Sequence, residues 1–141
     1  MFNPRKNITL DALNGLMQKT LASQLGMEVI SVNMDSLTVK MPVDERTIQS
    51  YGVLNGGASM ALAETCASLA TNLCLDEDKM CVGLEINGNH IRAISSGYVY
   101  GTPKPIHIGR TTHVWEIRIT DDRDKLINLS RITLAIMNIK S

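Results

Sequence analysis

Aromatic side chains are scarce in this chain: one Trp, one Phe and three Tyr among 141 residues. Proteins that stack nucleic-acid bases need aromatic faces, so that class is disfavoured. Surplus charge is missing as well. Fourteen Lys and Arg balance fourteen Asp and Glu, so no overall basic field points to nucleic acid or a membrane surface. The largest basic cluster, Lys104, His107, Arg110 and His113, is modest and local. Near-zero net charge favours self-association over colloidal repulsion. No stretch reaches the roughly 18 uninterrupted apolar residues of a membrane span, and MFNPRKNITLDALNGL lacks the continuous apolar core of a secretory signal. The three cysteines, Cys66, Cys74 and Cys81, are odd in number and lack paired metal-type spacing. They read as small buried hydrophobes in a reducing compartment, which makes the cytoplasm the expected location. Several catalytic templates are absent too: no G-x-S-x-G elbow, no H-E-x-x-H, no G-x-G-x-x-G and no Walker P-loop. His90, His107 and His113 show no metal-ligand spacing, so no metal or other cofactor is expected.

What the chain does contain is a clear order of elements, and its length suits one domain spanning 1–141. Leu10, Leu13, Leu16, Met17, Leu21 and Leu25 recur at helical spacing, with Gly26 as a stop. MEVISVNMDSLTVKMPV then alternates on either side of Asn33–Ser36, which predicts a hairpin. Glycines 56 and 57 lead into a long apolar helix over about 57–75. Four β-rich runs follow, Met80 to Asn89, Ser96 to Ile106, Thr111 to Thr120 and Leu126 to Ile139. Turn-like segments such as Pro103-Lys104-Pro105 and Asp121-Asp122-Arg123-Asp124 punctuate them. The expected fold is α+β, an antiparallel sheet of five or six strands with one long helix against it. That helix is apolar nearly all round, so a second copy of the chain is expected to cover what the sheet does not.

From Thr47 to Leu75 there are 29 residues and one charged side chain, Glu64. A carboxylate in apolar surroundings is costly unless it finds hydrogen-bond donors or takes up a proton. Ser68, four residues on, shares its helix face. Asn55, Gly56 and Gly57 stand where the helix begins, and backbone N–H groups there suit a developing oxyanion. Gln49 lies six residues before Asn55 and offers a further side-chain donor. Carboxylate, oxyanion donors and apolar walls together suit acyl transfer to water; a tight turn and a packing serine are the plainer reading of Gly56-Gly57 and Ser68.

QSYGVLNGGASMALAETCASLA resembles the hotdog-fold acyl-CoA thioesterases, and CVGLEINGNHIRAISSG and PIHIGRTTHVWEIRITD continue the likeness over roughly residues 10 to 137. The branch it resembles hydrolyses aromatic and hydroxyaryl thioesters in menaquinone and enterobactin synthesis. The resemblance implies a hotdog, with the sheet wrapped around the long helix, and a dimer or dimer of dimers with sites built across the interface. It implies an acyl-CoA substrate, aromatic or medium-chain. The catalytic carboxylate would be Glu64, as general base or as nucleophile. Gly57 N–H would bind the thioester oxygen, Gln49 would orient the thioester, and Ser68 would position water or the aryl group. His90 would lie near the substrate, with Ile91, Arg92 and Ala93 on the CoA arm. Gly83 and the segment His107, Ile108, Gly109, Arg110, Thr111 and Thr112 would also contact CoA, with Arg110 on phosphate.

One departure from the branch pattern G-x-L-H-G-G stands out, because this chain has Asn55 where the histidine falls. Asn still donates and accepts but carries no titratable proton. A non-catalytic acyl-CoA-binding hotdog is therefore a second reading, and a dehydratase, which generally pairs His with a carboxylate, is a third.

Overall fold

The computed structural model describes residues 2, 4 and 7–139. Helix α1, Leu10–Leu16, starts where Thr9 Oγ1 accepts from Ala12 N–H at 3.2 Å. The single helix expected up to Gly26 is two: the chain breaks after Met17, Lys19 takes a left-handed φ of 60°, and α2 runs Leu21–Gln24. At the break Thr20 Oγ1 turns back to donate to Met17 O at 2.5 Å. The bend lets Leu13, Met17 and Ala22 all reach the core while Leu16 and Leu21 stay exposed, which one straight helix does not achieve. Gly26, with φ 72°, closes α2.

The predicted hairpin is β1, Glu28–Val32, and β2, Leu37–Pro42. Asn33 Oδ1 organises its turn by accepting from Asp35 and Ser36 N–H at 2.8 and 2.9 Å. The long helix α3 spans Gly56–Cys74, and then come β3 (Lys79–His90), β4 (Tyr98–Ile108), β5 (Thr112–Asp121) and β6 (Leu126–Asn138). The sheet has six strands in the order β1-β2-β4-β5-β6-β3, each neighbouring pair antiparallel. Pro103 and Pro105 do not interrupt β4, against the turn expected of them. Pairing with β2 ends at Gly101, so beyond it β4 needs N–H donors on one side only, where β5 lies.

The core lies between α3 and the concave face of the sheet. Leu62, Ala63, Cys66, Ala67 and Ala70 meet Val39, Met41, Val99, Ile117, Ile119, Ile132 and Leu134, all fully buried. Gly101 lets the helix close on the sheet, since a Cβ there would sit 2.6 Å from Cys66 Sγ. Trp115 lies buried on the same face as His113, and its Nε1–H donates to Thr71 Oγ1 at 2.7 Å. Strand β3 is a sheet edge, twelve residues long, and it leaves Met80, Val82 and Leu84 exposed. No helix of the described residues is long and apolar enough to cross a membrane.

Candidate active site

Immediately before α3 the chain crosses a compact loop that sets the start of the helix. Asn55 N–H donates to Thr47 O and Leu54 N–H to Ile94 O, both at 2.8 Å. Thr47 is buried, with its hydroxyl donating to Pro42 O at 2.7 Å. Asn55 is the N-cap, and its Oδ1 accepts from Gly57 N–H at 2.7 Å. The Gly57 donor expected to be free is therefore engaged by the side chain that precedes it. Gln49 is held in the same loop: its Oε1 accepts from Tyr51 N–H at 2.5 Å, so Nε2 is the amide atom not used by the turn.

Glu64 is exposed in this chain, not buried as its apolar neighbours in sequence suggested. The fully buried apolar residues around it point into the core, and Glu64 stands on the flank of α3 beside the edge strand β3. Its carboxylate rests against Gly83 of β3, where any Cβ would collide with Oε1. Glu64 and Ser68 share a cavity of about 280 Å³. Leu16, Met17, Leu21 and Ala22 wall it from the N-terminal helices, so the separation of α1 from α2 shapes this space.

The adjoining cavity, about 290 Å³, holds Asn55 and Gly57 with Leu25, Ile48 and Ala61. Around the start of the helix, a third of about 300 Å³ collects Gln49, Gly56, Ser59, His90, Ile91, Arg92 and Ala93. These expected residues thus gather at one end and one side of α3. The segment His107–Thr112 does not join them. It forms the tight β4–β5 turn, with Gly109 N–H donating to Thr112 O at 2.9 Å. Ile108, Gly109 and Arg110 line a cavity of about 330 Å³ beside Cys74 and Leu75, past the far end of the helix. A helix of 19 residues is about 28 Å long, so one chain does not bring Arg110 to Arg92.

Titration behaviour separates bystanders from candidates. Burial pushes the Cys66 thiol far up and the Cys81 thiol up to about 11, so Cys81, whose Sγ–H faces Ser68 O at 3.7 Å, is no thiolate nucleophile. Burial holds the His113 imidazole below its ordinary value, against a hydrogen bond with the Gly109 backbone, and His107 nearby pushes the same way as burial. Its Nδ1 is buried without a hydrogen-bond partner among the described residues.

Sequence reasoning missed two groups, Asn128 and Ser130, both buried on the concave face of β6. The signal was present: Leu126, Asn128, Ser130, Ile132 and Leu134 share one face of a strand, and two of the five are polar.

Residues 51–128 match the thioesterase superfamily. The chain is 42% identical to the 1,4-dihydroxy-2-naphthoyl-CoA hydrolase of Escherichia coli, over 94% of this chain and 98% of that protein. It is 43% identical to the proofreading thioesterase EntH of Cronobacter turicensis, over 94% and 97%. Among solved structures, a thioesterase from Haemophilus influenzae superposes with a TM-score of 0.96 at 45% identity, covering 100% of this chain and 98% of that one. The chain therefore belongs to the thioesterase superfamily, has the hotdog fold, and is a thioester hydrolase.

Proposed function

We propose that this protein hydrolyses acyl-CoA thioesters with aromatic (hydroxyaryl or naphthoyl) or medium-chain acyl groups, and that Glu64 performs the central step. The observation that carries this reading is Glu64 with Ser68 in an apolar-walled cavity, about two turns along the same helix face from the Asn55–Gly57 cap. Two relatives bear names that specify a naphthoyl-CoA hydrolase and a proofreading thioesterase.

Acting as base, the Glu64 carboxylate takes a proton from water as the water oxygen attacks the thioester carbon. Acting as nucleophile, it forms a mixed anhydride that water then opens. Either way the C–S bond breaks and CoA leaves as thiolate. Negative charge on the carbonyl oxygen needs a donor, and Gly57 N–H supplies it once the Asn55 amide moves aside. Gln49 orients the thioester and Ser68 holds water or the aryl portion. His90 lies near the acyl group, Ile91, Arg92, Ala93 and Gly83 border the CoA arm, and His107 to Thr112 complete its site.

Completion requires a second copy of the chain. Strand β3 is a long unpaired edge with Met80, Val82 and Leu84 exposed, an arrangement that invites pairing. Its Lys79 end borders the Arg110 cavity, and its His90 end borders the Gln49 cavity. A two-fold antiparallel pairing of β3 with its own copy sets one end against the other, which brings Arg110 of one subunit towards the Arg92 region of its partner. We read the whole of 1–141 as one such domain, assembled as a dimer or dimer of dimers.

The test is thiol release from a panel of aryl, medium-chain and long-chain acyl-CoAs by wild type and Glu64→Ala. The expected result is aryl or medium-chain turnover that falls about a thousandfold or more in the variant. Turnover unaffected by Glu64→Ala would remove Glu64 from the mechanism, and a preference for long chains would overturn the substrate class.

A further inference from the structure

His90 ends β3 directly opposite Asn128 in the β3–β6 register, so their side chains project from the same face. His90 Nδ1 and Asn128 Nδ2 are 3.2 Å apart. Behind them Ser130 Oγ–H donates to Asn128 Oδ1 at 2.5 Å. Met60 Sδ lies 3.9 Å from the same Nδ2 and 3.5 Å from Ser130 Oγ. Asn128 and Ser130 are buried while His90 at the end of the chain is exposed, so no solvent rearranges the amide and hydroxyl behind the ring.

These contacts settle which way the amide faces. The serine hydroxyl has one proton, and its short bond spends it on Oδ1. The thioether is a weak acceptor, so it favours the NH₂ end beside it. With NH₂ facing His90, the imidazole Nδ1 has no role but acceptor, and the neutral ring must carry its proton on Nε2. That nitrogen lies at the start of α3: a Cβ on Gly56 would be 2.8 Å from Nε2 and 2.9 Å from Cε1. Gly88, opposite Ser130 in the register, is what makes room, since a Cβ there would collide with Ser130 Oγ and sit 3.1 Å from Met60 Sδ.

We propose that Asn128, fixed by Ser130, is a positioning residue that holds His90 as the Nε2–H tautomer, a donor aimed at the N-terminus of α3 in the cavity shared with Gln49. The proposal deepens the acyl-CoA hydrolase reading and rests on it for its catalytic consequence: a second donor beside Gly57 N–H, fixed before substrate arrives and not occupied by a cap.

Long-range ¹H–¹⁵N correlation spectra of the full chain, recorded with His90 neutral, read the tautomer directly. The wild type is expected to show a protonated Nε2 and a bare Nδ1. Asn128→Asp places an acceptor there instead, and the proton is expected to move to Nδ1, with kcat falling about tenfold to a hundredfold and KM changing little. Ser130→Ala frees the amide to turn and is expected to give a mixture of tautomers with a smaller loss. A wild-type ring protonated on Nδ1 overturns the proposal even if Asn128→Asp does not fold, as does a tautomer unmoved by both variants. Tautomer reversal without loss of kcat overturns the positioning role. If the Nε2–H form is found and no acyl-CoA is turned over, the tautomer assignment stands, and the hydrolase reading of this site is what has failed.

Discussion

The two sides of α3 present the same helix under opposite demands. Towards the sheet, Leu62, Ala63, Cys66, Ala67 and Ala70 are fully buried against strands, with Gly101 trimmed so that the helix can approach. Away from those strands, Gly57 and Glu64 are exposed and Ser68 half-buried, facing cavities walled by α1, α2 and the loop before α3. The first side is packing, where each methylene counts. The second keeps polar groups within reach of a substrate and of a second subunit. Activity and stability therefore divide along the helix axis, and changes on one side are expected to leave the other property largely alone.

The largest effect that tests this division is Glu64→Gln. Activity is expected to fall about a thousandfold, while the unfolding free energy from denaturant titration stays within a few tenths of a kcal/mol of wild type, because an exposed side chain of similar size is exchanged. A large loss of stability would mean that Glu64 belongs to the packing side. Leu62→Ala is the converse. It is expected to cost about 2–5 kcal/mol in equilibrium unfolding, with kcat per folded molecule little changed below the unfolding transition.

A smaller effect sharpens the boundary at the helix start. Asn55→Ala removes the cap on Gly57 N–H and is expected to cost about 1 kcal/mol. Asn55→Asp keeps an accepting oxygen there and so retains stability, yet places negative charge where the thioester oxygen must go. It should lose about tenfold or more in kcat. Equal activity in the two variants would remove Gly57 N–H from catalysis.

The smallest is a pH dependence on the buried side. His113 is held below its ordinary value of 6.5 by burial, so below that pH the unfolded chain binds a proton that the native state resists. Its contribution to stability is complete above pH 6.5 and declines as pH falls through that value towards the lower native one. His113→Gln is expected to flatten urea-measured stability across this window. Asp44 and Asp121 are held below 3.8, chiefly by the Arg46 side chain and the Lys125 backbone N–H respectively. They lose their contributions only at more acid pH, so the His113 slope can be read separately.

Much of this molecule was legible in order and periodicity. The hairpin around Asn33–Ser36, the helix after Gly56 and the four later strands all follow from local patterns whose physics is short-range. The spacing of Glu64 and Ser68 is of the same kind, since four residues on a helix always share a face. The N-terminal segment was not legible in this way. Its apolar spacing fits one helix, and only the need to seat Leu13, Met17 and Ala22 in a common core bends it at Lys19.

What the sequence by itself determined, then, is which elements form and which residues share a face, because steric preference, capping and hydrophobic period act within a few residues. Tertiary structure alone decided that Glu64 looks outward over Gly83, that Asn128 meets His90 beside Gly56, and that His107–Thr112 stands a helix length away from Arg92. Each of these joins residues far apart in the chain. Strand order and register bring them together or hold them apart, and no local pattern encodes either.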